Sequence, residues 1–193
     1  KSRPEKLTSQ TAFYDDIAYS PNGSRIVASR APRSQRAVRN DEINGGLTIT
    51  ELVWIPAGGG ATTLISPLNN AGRPHFTSDS TRLFVYESNE GLVSMRWDGT
   101  DRKAHLRVTG FVNPGAPPGA QPRQATELQI APDGTRALAQ IDNKVFLVPV
   151  PVTGGTTPSV SINNPANAPL PVRRLSRIGE EFVGWSGDGN TVF

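Results

Sequence analysis

The side chains that could carry chemistry are few, and their spacing does not form a catalytic site. The chain holds two histidines and no cysteine, which excludes disulfides, cysteine nucleophiles and thiolate metal sites. His75 and His105 lack the close pairing that metal ligation favours, and each lies beside or within an expected strand. We therefore expect both histidines to be structural.

Two glycine-containing runs also fail as active-site signatures. Residues 184–188, Gly-Trp-Ser-Gly-Asp, lack the last glycine of a Gly-x-Ser-x-Gly nucleophile elbow and fall in a hairpin. Residues 57–61 have no following Lys-Ser/Thr, which a phosphate loop requires.

Asp15-Asp16 and Asp41-Glu42 are paired carboxylates, but an oxygen cage for a hard cation needs more ligands. The sequence thus predicts no catalytic residue, no metal ligand and no cofactor in this segment.

The best candidates for binding lie on two long connections, residues 30–46 and 109–126. The first is rich in arginine and the second in proline and glycine. Long loops on a rigid scaffold are common places for binding sites, and an acidic group, a partner domain or a peptide would suit these. The alternative is a solvated arginine-rich loop beside a proline-rich connector. The candidate binding residues are Arg33, Arg36, Arg39, Asp41 and Arg123.

The strands that must position these loops can be recognised from an internal repeat in the sequence. Four segments share an apolar strand, a Ser, Thr or Ala, a turn with Asn or Asp and usually Gly, and a second apolar strand. The turn residues Asn22, Asp79, Asp133 and Asp188 follow one another at intervals of 57, 54 and 55 residues. Asn-Gly and Asp-Gly tolerate positive φ at both central positions of a tight hairpin. Each segment is therefore expected to form the first hairpin of a repeating unit.

Two further strands complete each expected unit. Second strands are predicted at 25–29, 82–86, 136–140 and 191–193, third strands at 47–55, 91–97 and 144–150, and fourth strands at 7–8, 64–66, 106–108 and 175–176. Residues 151–169 should form an irregular edge on the face opposite the two long connections. Four side chains at one equivalent place should be core wedges between units: Tyr19, Phe76, Ile130 and Trp185.

A four-stranded antiparallel unit of about 55 residues predicts an all-β fold, a partial β-propeller. We expect about three full blades and fragments of two more in one propeller domain that is incomplete at both ends. The expected divisions are an outer strand of a preceding blade (1–10), three blades (11–66, 67–109 and 110–176, the last with long loops) and the start of a further blade (177–193). The natural polypeptide is expected to be longer than this chain.

Composition limits the partners. The net charge is +3 and the isoelectric point is near 9.6, but the basic residues are scattered and no helix presents them as a face, so we expect no nucleic acid partner. The apolar run at 145–152 is too short for a membrane span. The expected partners are the remaining blades, a catalytic domain of the same protein, and a protein or peptide.

The turn sequences also resemble a known group. Ser20-Pro21-Asn22-Gly23, Ala131-Pro132-Asp133-Gly134 and Trp97-Asp98-Gly99-Thr100 resemble the repeats of TolB-like, WD-type propellers. The longer run over about residues 67–193 is similar to the propeller that precedes the catalytic barrel of some large bacterial amidohydrolases.

The resemblance implies a metal-dependent hydrolase of amide-like bonds in a periplasmic or secreted protein, while a cytoplasmic location stays open. Zinc or a similar divalent metal would then lie in a separate catalytic domain, and this segment would be its non-catalytic scaffold or access filter. Two alternatives remain: a stand-alone TolB-like propeller that binds a protein or peptide, and the gating propeller of a prolyl-oligopeptidase-like serine peptidase.

Overall fold

The computed structural model describes residues 3–32, 51–67, 72–152, 155–163, 168–177, 179 and 184–193. These residues form strands and turns and include no helix, and thus no helix that could span a membrane. The strands are β1 Ala12–Tyr19, β2 Arg25–Pro32, β3 Glu51–Pro56, β4 Thr63–Pro67, β5 Arg82–Glu87, β6 Gly91–Arg96, β7 Lys103–Thr109, β8 Glu127–Ile130, β9 Arg136–Ile141, β10 Lys144–Pro149, β11 Ser159–Ser161 and β12 Arg173–Arg174.

The strands form three separate four-stranded sheets. Sheet 1 has the order β1-β2-β3-β4, sheet 2 the order β5-β6-β7-β11, and sheet 3 the order β8-β9-β10-β12. Neighbours are antiparallel except β11, which runs parallel to β7. The all-β prediction is confirmed, and none of the three sheets closes on itself.

Several predicted strands are shorter or lie elsewhere. The expected first strand of the second unit is reduced to a single bridge between His75 and Phe84, and residues 191–193 form only the bridge between Val192 and Trp185. Residues 7–8 form one bridge, from Thr8 to Gly60, instead of a strand. The last strand of sheet 3 is β12, just before the predicted 175–176. Residues 47–50 of the third strand predicted at 47–55 lie outside the described residues.

The repeated turns have a different geometry from the one predicted. In the first unit the amide of Gly23 donates to the carbonyl of Ser20 at 2.8 Å, and the carboxamide oxygen of Asn22 accepts from the amide of Ser24 at 3.1 Å. Only the glycine has a positive φ, 68°. Because the side chain of the Asn or Asp caps the turn, these positions need a four-residue loop rather than a two-residue turn. The two-residue turn with positive φ at both positions occurs instead at Asp142 (49°) and Asn143 (57°), between β9 and β10.

Sheet 2 is buried on both of its faces. On one face Leu83, Val85 and Val93 pack with Val27 and Leu52 of sheet 1. The other face packs on sheet 3 through a second cluster, which includes Phe84, Tyr86, Leu92, Leu128, Ile130 and Ala139. Strands covered on both faces are expected to be apolar along their length rather than alternating, and between their end residues β5 and β6 are so apart from Ser94. The molecule is thus a stack in which sheet 2 separates sheets 1 and 3.

An arginine between two tryptophans fixes the contact between sheets 1 and 2. The guanidinium of Arg25, the first residue of β2, lies 4.3 Å from the ring centroid of Trp54 and 4.9 Å from that of Trp97. Phe76 stacks on Trp97 with centroids 5.4 Å apart. Such cation–π contacts are stronger where water is excluded. Phe76 thus lies between units as predicted.

Tyr19, however, is not a core wedge. Its relative exposure is 61%, whereas that of Ile130 is 3%. Ile130 is buried because sheet 2 packs against the face of sheet 3 on which it lies. Tyr19 lies on the corresponding face of sheet 1, and no sheet of the described part of the chain packs against that face.

Strand β11 joins the third unit to the second. It lies within 151–169, which we expected to form an irregular edge, yet it pairs with the outer strand of sheet 2. The amide of Arg107 donates to the carbonyl of Pro158 at 2.9 Å, and that of Ile162 to the carbonyl of Thr109 at 2.9 Å. Val160 and Ile162 are buried in the cluster between sheets 2 and 3. The prediction failed because the segment is rich in Gly, Thr and Pro, and among its described residues only Val160 and Ile162 are strongly apolar and buried.

We expect Val160→Ala to destabilise the fold by about 2 kcal/mol, since two methyl groups leave a fully buried site and the surroundings refill it only in part. Urea unfolding measures this. The matched control is Ser159→Ala on the exposed side of β11, for which we expect a change within about 0.5 kcal/mol. Equal effects of the two substitutions would contradict the assignment of β11 as a buried strand.

Candidate functional site

Of the five residues predicted for a loop-face site, only Arg123 is described. Arg33, Arg36, Arg39 and Asp41 lie outside the described residues. Arg123 forms an ion pair with Asp142 in the turn between β9 and β10, and its carbonyl accepts the amide of Gly110 at 2.7 Å. The backbone bond closes the loop 110–123 and the ion pair connects the end of this loop to the turn between β9 and β10, so Arg123 has a structural role.

The pair closest to a catalytic arrangement is Ser94 with His105. The hydroxyl of Ser94 lies 2.7 Å from Nε2 of His105, and Nε of Arg82 donates to the same hydroxyl at 3.1 Å. A serine beside an imidazole is the start of a nucleophilic site only if a substrate can reach the serine. Ser94 has no exposed surface. The pair therefore satisfies buried polar groups between β6 and β7.

His75 is also held by two hydrogen bonds. Its Nδ1 lies 2.8 Å from the carbonyl of Arg73, and its Nε2 accepts the amide of Ile130 at 2.9 Å. The proton therefore resides on Nδ1, and the ring connects sheet 2 to β8 as a neutral imidazole. Burial lowers the pKa of His75 to about 4. Burial, followed by the charges of Arg82 and Lys103, lowers the pKa of His105 as well.

The paired carboxylates Asp15 and Asp16 lie at a bulge in β1. Asp16 has a φ of 48°, its carboxylate accepts from the hydroxyl of Ser29 at 3.3 Å, and it lies 3.7 Å from Nε of Arg73. Burial, with the neighbouring charge of Asp15, raises the pKa of Asp16. Among the described residues no group of three potential metal ligands is found here or elsewhere.

Sequence reasoning missed a cleft beside the hairpin 184–193. It has a volume of about 560 Å³ and is lined by Arg136, Val145, Leu147, Arg173, Leu175, Ser176, Trp185, Asn190, Val192 and Phe193. Val145 and Leu147 contribute to it from the face of sheet 3 turned away from sheet 2, and two arginines, Arg136 and Arg173, are part of the lining. A volume of this size is in the range of ligand-binding clefts. The one sequence signal was the pair Arg173-Arg174, which sits on a strand edge instead of a long loop.

A second cleft, of about 470 Å³, lies on the other side of the same hairpin and includes Arg73, His75, Gln129, Trp185 and Ser186. Its polar groups are already engaged: the indole of Trp185 donates to the carbonyl of Gln129 at 3.2 Å, and the hydroxyl of Ser186 donates to a carboxylate oxygen of Asp188. The first cleft therefore has the better claim as a binding site.

Comparison with known proteins gives likenesses to solved structures and no family. No family model matches the chain, and no curated protein matches it. A crystal structure described as a "putative 6-phosphogluconolactonase" from Bacteroides uniformis matches with a TM-score of 0.43 and 10% sequence identity, over 94% of this chain and 47% of that one. The chain thus spans about half the length of that structure. A likeness at this level assigns no activity to the chain.

The expected resemblance to TolB-like propellers and bacterial amidohydrolases is wrong. No family model finds it, and the described strands form three separate sheets without closing a ring. The reason is that Ser-Pro-Asn-Gly, Ala-Pro-Asp-Gly and Trp-Asp-Gly-Thr are turn sequences. They satisfy the local geometry of any antiparallel hairpin and do not identify a family.

The neutral state of His75 predicts a dependence of stability on pH. Its pKa falls from 6.5 when unfolded to about 4 when folded, so below about pH 6.5 the unfolded chain binds a proton that the folded chain excludes. Stability is therefore complete above pH 6.5 and is lost progressively as the pH falls toward 4. Urea unfolding at about pH 7.5 and about pH 5 measures this loss.

The control is His75→Phe, which removes the titrating group. We expect this variant to be less stable at both pH values and to lose less on acidification, with the remaining loss due to His105. If the variant and the unsubstituted chain lose equal stability, the pKa assigned to His75 is wrong.

Proposed function

We propose that this chain is a stretch of a β-propeller in which the three sheets are successive blades, and that it serves as a non-catalytic scaffold and interaction domain with a protein or peptide partner. The observation that carries the proposal is the two-sided burial of sheet 2. A sheet covered on both faces by sheets of the same four-stranded design is the arrangement of neighbouring propeller blades.

The contacts between turns support a repeated, directional arrangement. The amide of Ser78, in the turn of the second unit, donates to the carbonyl of Pro132 in the turn of the third at 2.7 Å. Nη2 of Arg136 in the third unit donates to the carbonyl of Gly189 in the next at 3.2 Å. The second and third units thus each contact the turn of the following unit, as expected when units are related by a constant rotation.

A non-catalytic role is supported by how the reactive groups are used. His75 has both ring nitrogens bonded, as described above, and Ser94 is inaccessible. Asp133, Asp98 and Asp188 each cap a turn by accepting an amide two residues on. The capping amide is the main cause that lowers the pKa of Asp133. For Asp98 and Asp188 the main cause of the lowered pKa is a hydrogen bond from the hydroxyl of Thr100 or Ser186, and the capping amide adds to it. Such groups stabilise turns and are poor general acids or bases because they stay ionised and bonded.

The test has two arms. The purified chain is assayed with ester, amide and lactone substrates, with and without added zinc, beside the variant Ser94→Ala. We expect no turnover above buffer from either protein. Turnover by the unsubstituted chain that is absent from the Ser94→Ala variant would overturn the non-catalytic role.

The second arm is electron microscopy of a natural protein that contains this sequence. A ring-shaped domain with four to eight radial sheets is the expected image. An open stack of sheets without a central axis would overturn the propeller arrangement, whatever the assay gives.

A further inference from the structure

The turn of the first unit differs from the other three repeated turns in its capping residue. Asn22 carries a carboxamide where Asp79, Asp133 and Asp188 carry a carboxylate. In each turn a side-chain oxygen of this residue accepts the amide two residues on, at 2.8 to 3.1 Å. The four positions therefore have the same structural role, and only the first is uncharged.

The first turn already holds donors for a carboxylate. Oδ1 of Asn22 lies 2.8 Å from the hydroxyl of Ser20, 3.1 Å from the amide of Ser24 and 2.8 Å from the hydroxyl of Ser24. An amide oxygen offers two lone pairs, whereas the two oxygens of a carboxylate offer about four acceptor sites. In the second turn Thr81, which corresponds to Ser24, donates its amide to one oxygen of Asp79 and its hydroxyl to the other, at 2.8 and 2.7 Å. The donors around position 22 thus suit an aspartate better than an asparagine.

The residue that follows Asn22 allows a chemical route to aspartate. Gly23 has no side chain to hinder its own amide nitrogen, and both residues are exposed. This nitrogen can attack the side-chain carbonyl carbon of Asn22. The bond from that carbon to the carboxamide nitrogen breaks, ammonia leaves with the proton of the Gly23 amide, and a succinimide ring remains. Water then opens the ring, so the net change is asparagine plus water to aspartate plus ammonia.

From these features we propose that Asn22 is a deamidation site, and that the first turn accepts the resulting aspartate as the other three turns accept theirs. In the folded turn the amide of Gly23 donates to the carbonyl of Ser20 at 2.8 Å, so its nitrogen reacts only when this bond opens. The conversion is therefore slow and is controlled by local opening of an exposed turn. The proposal is independent of the propeller arrangement, because it uses only contacts within single turns.

Water can open the succinimide ring at either of its carbonyl carbons. Attack at the side-chain carbonyl gives aspartate, whereas attack at the main-chain carbonyl gives isoaspartate, whose backbone is longer by one methylene. The amide of Ser20 donates to the carbonyl of Arg25 at 2.9 Å, and the amide of Gly23 closes the turn on Ser20. A longer backbone does not fit between these bonds. We therefore expect both products to form and only the aspartate product to keep the turn.

Incubation of the whole chain at mildly alkaline pH, followed by peptide mapping with mass spectrometry, tests the reaction. The peptide that contains Asn22 should gain the mass that replacement of NH2 by OH produces. Two exposed asparagines of other turns are internal controls, Asn143 and Asn190. Both should convert much more slowly, because the residues after them, Lys144 and Thr191, carry side chains that hinder the attacking nitrogen.

Gly23→Ala is the matched variant for the attack step. A Cβ at this position meets no atom within 4 Å, so the turn keeps its shape, although alanine adopts a positive φ less readily than glycine. We expect conversion at Asn22 to fall to the level of Asn143. Urea should speed conversion of the unsubstituted chain, because the bond from Gly23 to Ser20 is then open. The pair Asn44-Gly45, outside the described residues, falls in a separate tryptic peptide.

Asn22→Asp tests whether the turn accepts the product. Near neutral pH this variant should unfold at a urea concentration equal to or above that of the unsubstituted chain, because hydrogen bonds to a carboxylate are stronger than those to an amide. Asn22→Ala lacks the acceptor and should unfold at a lower concentration.

The advantage of Asn22→Asp over Asn22→Ala should also depend on pH. Hydrogen bonds to the corresponding carboxyl groups lower the pKa of Asp79, Asp133 and Asp188. A carboxyl group of this kind stabilises the fold above its unfolded pKa, and this stabilisation is lost as the pH falls through its folded pKa. The difference in urea midpoint should therefore shrink at acidic pH, which a substitution that only changes packing would not produce.

Four results would overturn the proposal. They are no mass gain at Asn22 in the folded chain while the chain in urea converts, equal conversion at Asn22 and Asn143, undiminished conversion in Gly23→Ala, and a lower urea midpoint for Asn22→Asp than for the unsubstituted chain. The first result would mean that the turn protects Asn22, and the last would mean that the turn rejects a carboxylate.

Discussion

The structure depends on the removal of both faces of sheet 2 from water. Leu83, Val85, Leu92 and Val93 have no exposed surface, and neither sheet 1 nor sheet 3 alone could cover them, since they point in opposite directions. Burial of this apolar area is the main favourable term, and it is only obtained when three sheets are present together. The polar contacts follow from it: the ring of His75, the hydroxyl of Ser94 and the guanidinium of Arg25 are held in place where sheets or strands meet.

Much of the local structure could be predicted because it depends on residues that are close together in the sequence. The apolar runs and the turn residues at a constant interval located β5, β6, β9 and β10 within one residue at each end, and the first residue of β2. Asn22 and Asp133 marked true turns, although the capping by their side chains made the loops longer than predicted. The sequence signal for an Asp142-Asn143 turn was present, yet it lacked the glycine on which the prediction relied.

What could not be predicted depends on contacts between distant residues. Nothing near Val160 shows that it pairs with a strand some 50 residues earlier, because parallel addition of a short strand leaves no local pattern. Nothing near Tyr19 shows that its face is open while that of Ile130 is covered, because the two positions have the same local sequence context. The cleft at Arg173 was missed for a related reason: its lining combines residues of β9, β10, the segment 173–176 and the hairpin 184–193, which are distant in the sequence.

The crossing of β11 onto β7 has a consequence for how the chain folds as it is made. Sheet 2 exposes the outer edge of β7 until residues 159–162 have emerged, about 50 residues later. At a synthesis rate of roughly 5–20 residues per second this delay is several seconds, longer than an antiparallel hairpin needs to form. The second and third units therefore cannot mature one after the other, and the nascent chain keeps the outer edge of β7 unpaired during that interval, when this edge can pair with another chain.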